Sequence, residues 1–189
     1  MNKLFAFLLA ISSLHGSPLS ERIEDSLVPY ENFPKPGSVF RDISPILENP
    51  QLFGEIIDHF VDRYKERKID AVIALEARGF IFGSALAYKL QVPLVMIRKE
   101  GKLPGAIHRA SYKKLYGEDV FVMRVDALKK GQQVVVIDDF YSTGGSLQAA
   151  SELIQATGAI VYEGAFLINN TRASNKRNFP FPIYAIFDL

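Results

Sequence analysis

Val134-Val135-Val136-Ile137-Asp138-Asp139-Phe140-Tyr141-Ser142-Thr143-Gly144-Gly145-Ser146 is the stretch on which the reading of this chain turns. Four β-branched residues in an unbroken run read as a strand covered on both faces, since neither side of its pleat carries a polar residue. The run ends in two adjacent carboxylates and passes through a turn rich in hydroxyls and glycine. The apolar spacing from Ser146 to Thr157 then reads as a helix, closed by Gly158. In parallel sheets, ligands bind beyond the carboxyl ends of the strands. A turn at the positive end of a helix gathers backbone N–H groups and hydroxyls, and its glycines let an anion approach, which suits a phosphate. Asp138 and Asp139 only accept hydrogen bonds when ionised, so beside a phosphate they suit two hydroxyls such as those of a ribose. Ser142, Thr143, Gly144, Gly145 and Ser146 with the two acids therefore read as a ribose 5-phosphate site. No Gly-Lys-Ser/Thr follows, so this is not a Walker A loop.

Outward from this stretch, strand-like and helix-like segments alternate. Pro50 to Arg67 carries Leu52, Phe53, Ile56, Ile57, Phe60, Val61 and Tyr64 at helical spacing. Ile69 to Leu75 reads as a strand, Phe80 to Leu90 as a helix and Val92 to Ile97 as a strand with its proline near the start. After a polar stretch, Val120 to Met123 reads as an edge strand, and Ile160 to Ile168 and Ile183 to Phe187 complete the sheet. This order predicts an α/β fold, a mostly parallel central sheet with helices on both faces.

Composition narrows the chemistry. The 189 residues are 48% hydrophobic and 23% charged with a net charge of +1, so nothing points to a disordered chain, a multi-span membrane protein or a nucleic-acid binder. Cysteine is absent, which removes disulfides and thiolate chemistry. The three histidines, His15, His59 and His108, have no ligand spacing, and no metal held by the protein alone is expected. Lys3 precedes an apolar run from Leu4 to Leu14, the outline of a secretory signal too short to span a bilayer and followed by a weak cleavage pattern. Residues 1–18 are read as a signal-like or dispensable segment and 19–189 as one domain. Asn169-Asn170-Thr171 is a glycosylation sequon that matters only after export. The remainder of the chain argues for a cytosolic substrate, so the expected location is the cytoplasm.

The Val134–Ser146 stretch resembles the diphosphoribosyl-binding motif of type I phosphoribosyltransferases: four hydrophobic residues, two acids and a Thr-Gly-Gly-Thr/Ser turn. Phe33 to Leu47, Glu76 to Gly83, Ile97 to Gly105 and Ala110-Ser111-Tyr112 resemble blocks of the adenine phosphoribosyltransferases, in order and covering nearly all of 19–189. The resemblance implies transfer of phosphoribosyl from phosphoribosyl diphosphate to adenine, giving AMP and pyrophosphate. It implies Mg²⁺ bound through the pyrophosphate and ribose of the substrate, and a homodimer.

The residue roles follow from the same resemblance. Arg78, after the Ile69–Leu75 strand, would hold pyrophosphate, and Arg98, Lys99 and Lys102 would clamp the rest of it. Gly105 to Asp119 resembles a mobile lid loop that shields an oxocarbenium-like transition state from water, with Ser111 and Tyr112 closing onto the diphosphate. Phe40 and Phe140 would stack on the purine, with the backbone near Val39 reading its edge and Arg41 part of the same Val39–Asp42 pocket block. One departure stands out. Lys114-Leu115-Tyr116-Gly117 has leucine where adenine-specific members carry glutamate. Glu118 or Asp119 substitutes, turnover is slow, or the base preference has drifted. Another purine base, or a binding protein with weak catalysis, is the alternative.

Overall fold

The apolar runs and helical stripes find their partners in a computed structural model that describes residues 18–114, 117–173 and 177–189. The segment expected to be signal-like lies, up to Ser17, outside the described residues, as does Leu115. Where the sequence reads as one domain from Leu19, the chain divides into two compact units, one up to Asp58 and one from His59 to Leu189.

In the first unit, helix α1 (Leu19–Ser26) precedes strands β1 (Val28–Glu31) and β2 (Val39–Asp42), which pair antiparallel with Tyr30 opposite Phe40. The Asp42 carboxylate accepts the Ser44 N–H at 3.0 Å and the Ser44 hydroxyl at 2.7 Å, starting the short helix α2 (Ser44–Glu48). Helix α3 (Pro50–Tyr64) begins with proline in its first turn, where the missing N–H costs nothing. The Asn49 side chain accepts the Leu52 N–H at 3.1 Å, satisfying one of its free donors. Arg22 of α1 pairs with Glu55 of α3.

The second unit holds β3 (Ala71–Leu75), α4 (Gly79–Leu90), β4 (Leu94–Lys99), β5 (Ile107–Lys114), β6 (Gly117–Arg124), β7 (Gln133–Tyr141), α5 (Gly145–Ala156), β8 (Ile160–Asn169) and β9 (Ile183–Asp188). Its seven-stranded sheet runs β5-β6-β4-β3-β7-β8-β9. The five strands β4, β3, β7, β8 and β9 pair in parallel, while β6 is antiparallel to both neighbours. Ile73, Leu75, Val134 and Val136 pack in one core with Leu147, Ala150, Leu153 and Ile154 of α5. Ala74 and Ile137, one step along their strands, meet α4. Successive side chains point to opposite faces of a strand, so α4 and α5 cover the two faces, as the mostly parallel α/β reading requires. Among the described residues no helix is long and apolar enough to cross a membrane.

One expectation takes a more definite form and one is corrected. The stretch expected as a lid loop contains β5 and the first residues of β6, and Ala110 and Tyr112 pack inward while Ser111 faces out. The Val120–Met123 strand is not an edge strand: it lies within β6, between β4 and β5, and β5 is the edge. Polar composition hid β5, because only alternate residues of a ribbon lying on a helix must be apolar.

Glycine at 83 is what lets α4 lie flat on the sheet. A Cβ there would come within 2.6 Å of the Ala74 Cβ and 3.0 Å of Ile137 Cγ2. Gly83→Val is expected to lower stability by about 1–3 kcal/mol through overpacking, against a helix-propensity gain of only a few tenths of a kcal/mol. Urea unfolding checks this; an unchanged midpoint would contradict the close approach.

Candidate active site

The acids lie inside β7 rather than after it, so they keep strand geometry and point to alternate faces. Asp139 is 3% exposed and Asp138 is half-buried. Arg78, the residue before α4, places Nε 2.9 Å from Asp139 Oδ2. The Asp138 carboxylate accepts the Asp139 N–H at 3.0 Å. The Glu76–Ala77 peptide just before Arg78 is cis. The start of α4 reaches β7 because residue 79 is glycine: a Cβ there would stand 2.7 Å from the Ile137 carbonyl oxygen and 3.1 Å from Asp138 Oδ1.

Both carboxylates are held above the ordinary range. For Asp138, well above it, burial is the main cause and the Asp139 charge the next. For Asp139 burial again dominates, partly offset by the Arg78 guanidinium. The pair is thus poised to gain from hydroxyl donors or positive charge brought alongside.

The turn after β7 leads directly into α5. Gly144 takes φ of +84°, which only glycine adopts without strain, and buried Gly144 and Gly145 start the helix with no side-chain cap. The first amide N–H groups of α5 have no intrahelical acceptors, so the turn offers donors at the positive end of the helix. Ser142, Thr143 and Ser146 are half-buried around it, as is Phe140. The Arg177 N–H donates to the Thr143 carbonyl at 3.2 Å, which ties residues after β8 to the turn.

A second group lies at the carboxyl end of β4. Glu76 accepts the Lys99 N–H at 2.9 Å and Arg98 Nε at 3.3 Å, and Arg98 Nη1 donates to the Lys102 carbonyl at 2.9 Å. Burial raises the Glu76 pKa, but the Lys99 N–H and Arg98 more than offset it, leaving it low. Arg98, Lys99 and Lys102 are therefore together at the tied end of β4 and the turn after it, and Arg98 is already engaged. Lys99 Nζ lies 3.3 Å from Asp119, and the Tyr112 hydroxyl donates to the same carboxylate at 3.3 Å across the β5–β6 ladder. Tyr112 is buried against Phe121, with ring centroids 4.6 Å apart, and burial, then Asp119, raise its pKa. Ser111 is on the opposite, exposed side. Of the two acids that could replace the missing glutamate, Asp119 is thus engaged by Lys99 and Tyr112.

Val39, Phe40 and Arg41 lie on β2 of the first unit; Val39 is exposed, and Phe40 meets Phe33 edge-on with centroids 5.3 Å apart. Sequence reasoning missed Glu76 and Asp119 as partners of the cations. Glu76 was visible as an acid at a strand end, whereas Asp119 needed the register of β5 and β6.

A model of the phosphoribosyl transferase domain matches residues 42–180. The adenine phosphoribosyltransferase of Eremothecium gossypii is 40% identical over 171 residues, covering 88% of this chain and 91% of that protein. That of Idiomarina loihiensis is 45% identical over 78% of this chain and 83% of its own. The structure of the Saccharomyces cerevisiae adenine phosphoribosyltransferase, complexed with an imino-altritol bisphosphate and adenine, superposes with a TM-score of 0.82 at 37% identity, covering 89% of this chain and 98% of that one.

The raised carboxylates predict a pH dependence. An acid whose pKa is raised on folding binds protons more readily folded than unfolded, so stability falls as pH rises through the raised value. Asp138→Asn removes this loss. It is expected to be more stable than the parent at neutral pH, with the gap shrinking as pH falls towards the ordinary carboxylate range. Thermal unfolding of the ligand-free proteins across pH checks this, and a gap that does not change with pH would contradict it.

Proposed function

The chain belongs to the adenine phosphoribosyltransferases of the phosphoribosyl transferase domain family, and we propose that it joins adenine to phosphoribosyl diphosphate, releasing AMP and pyrophosphate. The observation that carries this is a carboxylate pair near the end of β7, Asp139 buried and Asp138 half-buried, running straight into the Gly144 turn and the first turn of α5. Donors for a phosphate and acceptors for two ribose hydroxyls stand one turn apart on a single chain segment.

In this reading Ser142, Thr143, Gly144, Gly145 and Ser146 hold the 5′-phosphate, and Asp138 and Asp139 take the ribose hydroxyls. The bond from ribose C1 to the diphosphate oxygen breaks with its electron pair leaving on pyrophosphate, a ring nitrogen of adenine forms the new bond to C1, and the imidazole-ring proton of adenine is released to solvent. Positive charge grows on the ribose meanwhile, and the two carboxylates stabilise it. Arg78, Lys99 and Lys102 orient the pyrophosphate, while Arg98, held by Glu76, fixes the end of β4 and the turn that carries Lys102. The β5–β6 ribbon closes over the site, with Ser111 towards the diphosphate and Tyr112 securing the ribbon through Asp119, so that water is kept from C1. Base recognition is assigned to Phe140.

Mg²⁺ fits this donor set. Carboxylate oxygens are the hard ligands it prefers, and it keeps waters and substrate phosphate oxygens rather than needing a protein cage. Among the described residues no three His, Cys, Asp or Glu side chains cluster as a cage. It would be held through the pyrophosphate and ribose of the substrate, alongside Asp138 and Asp139, and would add positive charge to the departing pyrophosphate.

A homodimer is part of the proposal. Tyr88 of α4 is 75% exposed, and Leu94 and Met96 of β4 are 37% and 43% exposed, an apolar surface that a second copy would cover. The substrates put the enzyme in the cytoplasm, with residues 1–18 dispensable for folding.

Pyrophosphate release is expected with Mg²⁺ and adenine and not with hypoxanthine, guanine or xanthine, from the full chain and from residues 19–189. Asp138→Asn with Asp139→Asn is expected to slow it by about 10²-fold or more, the scale of a lost transition-state contact. Release with another base, or an unaffected double variant, would overturn the reading. For the dimer, Met96→Glu is expected to halve the mass seen by light scattering; an unchanged mass would exclude this surface.

A further inference from the structure

Away from the carboxylate pair, towards the amino ends of β8 and β9, a polar cavity of about 390 Å³ lies against the last turn of α3. The ladder places Val134 opposite Val161 but Val135 opposite Glu163, so Tyr162 is an extra residue in β8. A bulge of this kind re-aims side chains. Tyr162 and Glu163 both line the cavity, where simple alternation would send them to opposite faces.

Glu163 is 3% exposed and accepts three hydrogen bonds: from Arg63 Nε at 2.6 Å, Arg63 Nη2 at 2.7 Å and the Tyr64 hydroxyl at 2.6 Å. The Arg63 guanidinium also lies 3.6 Å from the centre of the Tyr184 ring. A buried ion pair seldom adds net stability over apolar packing. What it does here is fix a guanidinium. Glu163 uses two of the five guanidinium N–H donors, which leaves the Nη1 edge available.

Arg67 follows Arg63 by four residues and lines the same cavity. Among the described residues its guanidinium makes no hydrogen bond or ion pair. Asp62, the other acid on the lining, is paired with Lys65 at 2.7 Å. His59 is hydrogen-bonded to the Tyr184 hydroxyl, and its pKa is lowered, chiefly by burial and then by Arg63, so its imidazole is neutral. Two arginines, one locked and one unpartnered, thus face a cavity whose carboxylates are already matched.

We propose that this cavity binds the phosphate group of a small phosphorylated molecule, or free phosphate, between the fixed Arg63 and the unpartnered Arg67, with the Tyr162 hydroxyl as a further donor. The site is separate from the transferase reading and stands or falls without it. Bidentate contact from planar guanidinium groups is the recognition chemistry such an anion requires.

The chain has three histidines, which makes the His59 ring a resolvable reporter inside the cavity. The full chain would be titrated with inorganic phosphate, and separately with ribose 5-phosphate, at ionic strength matched with chloride, while the histidine ring resonances are followed by NMR. The His59 signal is expected to move saturably. Its midpoint is expected to rise at least tenfold in Arg67→Gln, an exposed site whose change leaves the fold intact, and to stay unchanged in Asp138→Asn with Asp139→Asn. Response to both ligands identifies a phosphate ester site, and response to inorganic phosphate alone a free-phosphate site. A His59 signal that does not move, or a midpoint unaltered by Arg67→Gln, would overturn the proposal.

Discussion

The ion pair between Arg78 and Asp139 ties the start of α4 to the carboxyl end of β7, and the arrangement of the site follows from it. Asp139 is almost fully buried, and without a cation beside it an ionised carboxylate there would be costly. Arg78 can supply that cation only if α4 starts against β7, which in turn requires that residue 79 have no Cβ. The same contact brings the loop from Glu76 to Arg78 to the carboxyl edge of the sheet, beside the turn at Gly144. Electrostatics, backbone sterics and topology therefore converge on one place.

Neutralisation at this edge is incomplete, and that is what makes it chemically useful. Asp138 remains above the ordinary carboxylate range because of burial and the Asp139 charge, and Asp139 because burial outweighs the Arg78 guanidinium. Glu76 stays ionised because Arg98 and the Lys99 amide serve it, which fixes the cationic loop in place before any ligand arrives. Groups arranged in advance need little reorganisation when charge moves in a reaction, and this is the main route by which a protein contributes to a transfer with little covalent chemistry of its own.

Much of this was legible in the sequence because it depends on short-range rules. The Val134–Ile137 run reads as a doubly covered strand and the residues after it as a glycine-rich turn that opens a helix, and the structure has both. What was hidden depends on register between distant residues. β5 was unreadable because Ser111, Lys113 and Lys114 make its pattern look like a loop, although Ala110 and Tyr112 face the core. The pairing of Asp119 with Tyr112 and Lys99 appears only once β6 is set between β5 and β4. The bulge at Tyr162 gives no local sign, since the extra residue is a good strand former.

The segment from Asp138 to Ser146 is proposed to receive a ribose phosphate, and a crystal structure of the full chain with ribose 5-phosphate decides this. The phosphate is expected in the turn at residues 142–146, within hydrogen-bond distance of the first amides of α5, and the ribose hydroxyls on Asp138 and Asp139. A sugar phosphate that leaves this turn empty, with its hydroxyls away from both carboxylates, would contradict it.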